Sequence, residues 1–217
     1  MSATEKSDDF EIRVAGVEDG DRMMQFLHLH YYREEPLTAG CAPPEPDEED
    51  QKFLLSNLPH GTCLLMFHKD RIVAVAVAGP KGPDEAEHLF DEAAKLAGSK
   101  WGRILGILAR AERDANVFSR YGVDRAIHLH ALGVDEQMRG RAIGERLVNA
   151  LAARGKELGY QLLTADCSSY YSSRLMKRLG YELVNSIPYA NYVDAAGEQL
   201  IRPPAPHKAL ETLVLRL

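Results

Sequence analysis

The sequence of 217 residues predicts a mixed α/β fold, in which strands and helices alternate in one layered system. Two apolar, β-type runs flank a polar tip at residues 68–71, which predicts a hairpin. Apolar residues between Ile104 and Phe118 recur at a four-three-four-three spacing, which is typical of a packed helix. From Ile127 to the end of the chain, strand-like and helix-like segments alternate.

In the first half of the chain, a strand is predicted from Phe10 to Gly16 because residues 10, 12 and 14 are apolar. A helix should follow, with Met23 and Leu27 on its apolar face, and Pro36 is expected to end it. The other elements expected here are a proline- and acid-rich loop at 41–50, a short helix at 51–58, the hairpin, a helix at 85–97 and the long helix ending near Gly122.

The second half begins with a strand from Ile127 to Val134, followed by a segment rich in glycine and arginine. The elements expected after it are a helix at 143–157, a strand at 160–167, a helix at 168–179 and strands at 181–187 and 209–217. Residues 1–9 are predicted to be a flexible leader, and residues 10–217 a single domain.

Composition narrows the class of partner. The net charge of −6 argues against nucleic acid or an anionic membrane and favours a cationic ligand. The three cysteines form no CxxC pair, which indicates neither a disulfide framework nor a zinc site. The N-terminus lacks a signal-peptide pattern, and no apolar run approaches the roughly 20 residues of a membrane span. We therefore expect a cytoplasmic, monomeric protein.

The stretch VDEQMRGRAIGERLVNAL lies where an apolar strand ends and an amphipathic helix begins. Gly140 and Gly144 allow close approach to the unpaired amides of the helix N-terminus, where phosphate binds well. Arg139 and Arg141 add cationic donors. A plain surface turn with solvated arginines remains an equal alternative. Neither a Walker loop nor a dinucleotide-binding G-x-G-x-x-G is present.

The segment resembles the Q/R-x-x-G-x-G/A signature of the GCN5-related N-acetyltransferase superfamily, with Ala142 in place of the central glycine. The resemblance implies a mixed, mostly antiparallel sheet that is splayed around a wedge for coenzyme A, with helices on both faces. It implies acetyl-CoA as cosubstrate and no metal. The residues implied to bind it are Leu132, Gly133 and Val134 along the pantetheine arm, and Arg139, Gly140, Arg141, Ala142, Ile143 and Gly144 around the diphosphate.

Three further motifs, YYREEPL, CSSYYSSRLMKRLGY and RPPAPHKAL, are similar to the insect arylalkylamine N-acetyltransferase family, and most like its agmatine-acetylating type. The resemblance implies direct transfer of an acetyl group to a small primary amine in a ternary complex. A binding domain that senses acyl-CoA without turnover, and an acetyltransferase for proteins or peptides, are the alternatives.

Glu35 is the candidate general base. A primary alkylamine has a pKa of about 10.4, so freeing its lone pair at neutral pH costs roughly 4 to 5 kcal/mol. The resemblance implies that Glu35 removes this proton through water, and Pro36 should fix the backbone beside it. Glu34 carries the same group outside the motif position. Without the motif, a solvated acid at a helix end would be the simpler interpretation of Glu35.

Protonation of the leaving thiolate should help modestly, because thiols have a pKa of about 8.5. The superfamily often uses a tyrosine where this chain has Met176. The family resemblance instead implies Ser172 and Ser168, of which we rank Ser172 first, since Ser168 could be the N-cap of the helix at 168–179. Tyr170 and Tyr171 are weaker alternatives.

The remaining candidates concern the amine. His207 is implied near the amine pocket, where it could orient substrate, carry a proton or be purely structural. Pro36, Tyr31 and Tyr189 are candidate substrate-binding residues, and aromatic faces attract cations. The acidic stretch at 45–50 could attract a second positive charge, although such a loop is more often solvated.

Two other features suggest different chemistry. His128 and His130 share a strand face, which invites a metal interpretation, but no third ligand can be named. Cys167 could in principle be an acyl-enzyme nucleophile, but no motif supplies it with a base. Direct transfer without a metal is therefore the simpler prediction.

Overall fold

The computed structural model describes residues 9–217 and contains a seven-stranded sheet of order β1-β2-β3-β4-β5-β7-β6. Its β4–β5 pair is parallel and its other pairs are antiparallel, which confirms the mixed, mostly antiparallel sheet. The strands are β1 Phe10–Val14, β2 Leu64–His68, β3 Arg71–Lys81, β4 Ala126–Val134, β5 Leu162–Cys167, β6 Glu182–Pro188 and β7 Ala209–Arg216. Apart from Asp9, the expected leader lies outside the described residues.

Helices cover both faces of this sheet. The helices are α1 Gly20–His30, α2 Pro36–Ala39, α3 Glu48–Leu55, α4 Glu85–Lys95, α5 Lys100–Ala115, α6 Val117–Tyr121, α7 Ile143–Glu157 and α8 Tyr170–Arg178. On β7, Leu213 packs in one cluster with Met176 of α8, while Val214 packs in another with Phe118 of α6. Because successive strand residues point to opposite faces, α8 and α6 lie on opposite sides of the sheet. The expected arrangement of helices is confirmed.

The segment around Pro36 differs from the prediction. Helix α1 ends at His30, where the amides of Tyr31 and Tyr32 both donate to the carbonyl of Leu27. Pro36 does not end a helix; it is the first residue of α2. Proline suits this position because the amide it lacks would have no partner in the first turn. The long helix expected up to Gly122 is also divided, since Asn116 adopts a left-handed conformation with φ +44° between α5 and α6.

Strand β4 parts from β5 after a short parallel contact. Only Ile127–Leu129 pairs with β5, at residues 163–165, whereas residues 130–134 have no partner on that side within the described sheet. On its other edge β4 pairs with β3 throughout, apart from an extra residue at His130. Backbone polar groups on residues 130–134 therefore face an opening at the centre of the sheet, and the expected splay is confirmed.

No helix between residues 9 and 217 combines the length and the apolar character that crossing a membrane requires.

Candidate functional site

Glu35 lies at the N-terminus of α2 rather than at the C-terminus of α1. Its side chain is 6% exposed, and Oε2 accepts a hydrogen bond of 2.6 Å from the amide of Thr38. The residue is thus the N-cap of the short helix that Pro36 opens. This bond holds the carboxylate in place through the helix backbone and leaves Oε1 available for another donor. Pro36 itself is buried directly beside it.

Tyr31 and Tyr189 lie within electrostatic reach of the carboxylate of Glu35. Burial raises the pKa of each phenol, and the charge of Glu35 raises it further. Tyr189 is 2% exposed, and its hydroxyl donates a hydrogen bond of 2.7 Å to the carbonyl of Ser168. The structure thus brings the predicted base and two predicted pocket residues together, with the hydroxyl of Tyr189 already bonded to the turn before α8.

Of the two predicted serines, Ser172 lies within α8 and Ser168 lies before it. The N-cap of α8 is Ser169, whose Oγ accepts from the amide of Ser172 at 3.0 Å. Ser168 precedes the helix and is therefore not its cap. Ser172 Oγ donates to the carbonyl of Ser169 at 3.0 Å. Burial raises the pKa of the adjacent Cys167 thiol to about 12, although a hydrogen bond with Ser172 lowers it. A thiol with so high a pKa is a poor nucleophile at neutral pH.

His207 contacts the first turn of α8 and is within electrostatic reach of Glu34 and Glu35. Its Nδ1 is 3.1 Å from the amide nitrogen of Tyr170, which donates to it, so a neutral His207 carries its proton on Nε2. Burial lowers the pKa of His207, while the charges of Glu35 and Glu34 raise it. The imidazole is therefore near Glu35 and is fixed by the first turn of α8.

The segment at residues 139–144 exposes a row of backbone amides. Gly140 and Ala142 adopt left-handed conformations, with φ +77° and φ +56°. The first helical hydrogen bond of α7 runs from the amide of Arg146 to the carbonyl of Ala142, at 2.9 Å. Within the described chain, the amides of residues 140–145 donate to no backbone carbonyl. Unpaired amides at a helix N-terminus form an anion-binding concavity.

Ala142 keeps its amide in this row at the cost of backbone strain, because its φ lies in the region that favours glycine. We expect Ala142→Gly to leave the free energy of unfolding unchanged or to raise it by up to about 1 kcal/mol. The matched control, Ala152→Gly inside α7, should lower it by about 1 kcal/mol. Urea unfolding of the three proteins measures both changes, and an equal loss in the two variants would contradict the strain at Ala142.

Other parts of the predicted cofactor region have clear packing roles. A Cβ on Gly133 would lie 3.2 Å from Phe26 of α1, and one on Gly144 would lie 3.3 Å from Leu175 of α8, so both glycines allow close packing. Leu132 and Val134 pack on the opposite side of β4 from Gly133, against the core beneath α7. Ile143 is buried in that core, and Arg141 is exposed. Arg139 donates to Glu34 Oε2 at 2.7 Å, which links the segment to the chain before Glu35.

The two histidines of β4 belong to a buried polar network. His128 Nδ1 lies 3.0 Å from Lys81 Nζ and 2.7 Å from Thr164 Oγ1, and Lys81 is paired with Glu112. Burial lowers the pKa of His128, and it lowers the pKa of His130 to about 3. Both rings are therefore neutral at physiological pH. Among residues 9–217, no group of three or more His, Cys, Asp or Glu side chains is arranged so that it could hold a metal ion.

Sequence reasoning missed two parts of this region. Lys81 and Glu112 were not singled out, although a lysine at the end of an apolar strand is a signal for a buried partner. Asp50 was treated as part of an acidic loop, but it lies in the first turn of α3 and faces the tyrosines beside Glu35.

Comparison with known proteins is consistent with this geometry. The model of the acetyltransferase (GNAT) family matches residues 25–181. A solved structure of an agmatine N-acetyltransferase mutant is 51% identical, with a TM-score of 0.94 over 97% of this chain and all of that one. Drosophila melanogaster polyamine N-acetyltransferase, which catalyses the formation of N-acetylagmatine, is also 51% identical, with a TM-score of 0.93 over 96% of this chain and all of that one.

The solved structure of a mosquito protein named arylalkylamine N-acetyltransferase like 5b is 33% identical, with a TM-score of 0.90 over 96% of this chain and all of that one. These matches confirm the fold and the family that the motifs indicated. The chain belongs to the acetyltransferase (GNAT) family, and within it to the group of the insect arylalkylamine N-acetyltransferases.

Proposed function

We propose that the protein transfers an acetyl group from acetyl-CoA directly to a small primary amine, agmatine or an arylalkylamine, in a ternary complex. The observation that carries this proposal is the buried carboxylate of Glu35, fixed at the start of α2 among tyrosines. Two structures at 51% identity belong to enzymes named for agmatine or polyamines. We further propose a monomeric, cytoplasmic enzyme with one catalytic domain at residues 10–217 and no required metal.

Acetyl-CoA would be held at two places. The unpaired backbone of β4 between Leu132 and Val134 offers hydrogen bonds to an amide-containing arm. The amides of residues 140–145, with Arg139 and Arg141 beside them, fit a diphosphate by geometry and by charge. The cosubstrate supplies a thioester carbon as the electrophile.

The reaction requires a neutral amine. Glu35 accepts the amine proton through a water molecule, and the freed lone pair forms the new nitrogen–carbon bond. The carbon–sulfur bond then breaks and leaves a thiolate, whose pKa of about 8.5 makes its protonation a modest contribution. We assign this proton to Ser172, which lies beside Cys167 at the start of α8. Ser168 contributes through its carbonyl, and His207 orients the amine.

The experiment that tests the proposal is release of free CoA thiol by the purified protein. We expect thiol only when acetyl-CoA and an amine are both present, intersecting initial-velocity lines, and no acetylated enzyme by mass spectrometry. CoA binding without thiol release over a panel of agmatine, polyamines, tyramine, dopamine, serotonin and histamine would support a sensor domain instead. Faster acetylation of lysine peptides or N-termini than of the amines would support a protein acetyltransferase.

A further inference from the structure

A second carboxylate lies near Glu35. Asp50, in the first turn of α3, is partly buried and forms no ion pair with any residue in the described part of the chain. Burial, and then the charge of Glu35, raises the pKa of Asp50 to about 7. Two carboxylates that repel each other in a partly buried place destabilise the protein, and sites that bind cations have this property.

Tyr32 lies close enough to the same two carboxylates for both of their charges to raise the pKa of its phenol. Tyr32 is 3% exposed; its hydroxyl makes no close hydrogen bond among residues 9–217, but it interacts with the carboxylate of Asp50 and lowers the pKa of that group. Burial raises the pKa of this phenol, and the charges of Asp50 and Glu35 raise it further. Asp47 Oδ2, one turn before Asp50, is also buried without a partner. Buried polar atoms without partners are rare in folded proteins and call for an explanation.

Lys100, the cation that affects Asp50, forms its hydrogen bonds elsewhere. Lys100 lowers the pKa of Asp50 through its charge, but its ammonium donates to the carbonyls of Pro43 and Glu45, both at 2.6 Å. These bonds tie the loop before α3 to the first turn of α5. Among the described residues, the carboxylate of Asp50 therefore interacts with the hydroxyl of Tyr32 but forms no ion pair with an ammonium or guanidinium.

We propose that Asp50, with the hydroxyl of Tyr32 beside it, binds the second positive charge of a dicationic amine whose reacting nitrogen is held at Glu35. This inference rests on the proposed function and specifies its substrate class: diamines and guanidinoalkylamines. An ammonium offers three donors and a guanidinium five, and both suit a carboxylate and a phenol oxygen. A monoamine with an apolar tail has no second charge to pair with Asp50, so Asp50 favours dicationic amines over it without acting on the monoamine itself.

The test compares agmatine, cadaverine and hexylamine, because the last two differ only by an ammonium or a methyl group at the far end. Asp50→Asn should lower kcat/KM for agmatine and cadaverine by about 10- to 100-fold, the value of a charged hydrogen bond, and leave hexylamine within about twofold. Glu49→Gln removes one charge from the exposed side of the same turn, and it should change none of the three.

Two further measurements separate this role from damage to the fold and from failure of the proposed function. Because the native pKa of Asp50 is raised from 3.8 to about 7, ionisation of Asp50 costs stability as the pH rises between these values, and the full penalty is present at pH 8. Asp50→Asn should therefore unfold at an equal or higher urea concentration than wild type at pH 8. Calorimetric titration of the CoA complex should show weaker agmatine binding by Asp50→Asn, with or without turnover.

An equal loss for all three amines, or no loss for the dications, overturns the role of Asp50, whatever the activity of wild type. Absence of thiol release from wild type, together with a binding difference for agmatine, would instead refute the proposed function and support the site.

Discussion

Replacing Glu35 by glutamine should lower kcat/KM for the preferred amine by about 10²- to 10⁴-fold at pH 7, the range that a positioned general base contributes. Glutamine keeps an acceptor for the amide of Thr38, so the N-cap of α2 survives and the loss reports the missing base. The rate of the variant should recover with rising pH, about tenfold per unit, because the fraction of neutral amine grows toward a pKa of about 10.4. Steady-state kinetics between pH 7 and 9 measure both effects.

The neighbouring carboxylate provides the control. Glu34 is exposed and forms a surface ion pair with Arg139, so Glu34→Gln should change kcat at saturating acetyl-CoA by no more than about threefold. If Glu35→Gln retains wild-type activity over this pH range, or if Glu34→Gln is the more damaging change, Glu35 is not the base.

Replacing Lys81 by methionine should lower the free energy of unfolding by about 3 to 5 kcal/mol, because it leaves a charged partner buried without compensation. Lys81 and Glu112 are 6% and 5% exposed, and their side chains are bonded to each other. Asp166 lies in the same network, and burial raises the pKa of its carboxyl to about 6 although Lys81 lowers it. Carboxylates with raised pKa values destabilise the fold as pH rises, so the loss should be larger at pH 8 than at pH 5.

An exposed pair of the same kind gives the comparison. Lys95 and Glu92 lie 2.6 Å apart on α4 and are solvated, so Lys95→Met should cost less than about 1 kcal/mol. Combining Lys81→Met with Glu112→Leu should recover part of the loss, because the carboxylate bonded to Lys81 is then removed, whereas Asp166 still lacks the compensating charge of Lys81. Urea denaturation of wild type, the two single variants and the double variant measures these changes in the free energy of unfolding. Similar losses for Lys81→Met and Lys95→Met would show that burial of the pair is unimportant.

Local patterns predicted the elements that local interactions define. The helix expected at 143–157 is confirmed as α7, because its apolar spacing and the glycines before it are all visible within about twenty residues. The hairpin tip at residues 68–71 is confirmed for the same reason. Errors occurred where two local signals compete. Proline can end one helix or begin another, and either Ser168 or Ser169 could have capped α8.

The residues of the candidate site likewise fall into those recognised from local motifs and those recognised only from the tertiary structure. Glu35, the serines and the segment 139–144 were recognised because each lies in a short motif. Asp50 was named only as part of the acidic stretch at 45–50 that could attract a second positive charge. It could not be singled out, since its nearness to Glu35 and Tyr32 depends on how α3 packs against α1. The pairing of Lys81 with Glu112 joins residues 31 positions apart, at the end of a strand and within a helix.

The sequence by itself determined the order of the strands and of the longer helices, the family and the identity of the candidate base, because periodicity and short motifs are properties of neighbouring residues. Only the tertiary structure decided which carboxylates share one site, which serine caps α8 and where β4 leaves β5. These features depend on the burial of charge and on contacts between distant segments, and no spacing along the chain records either of them.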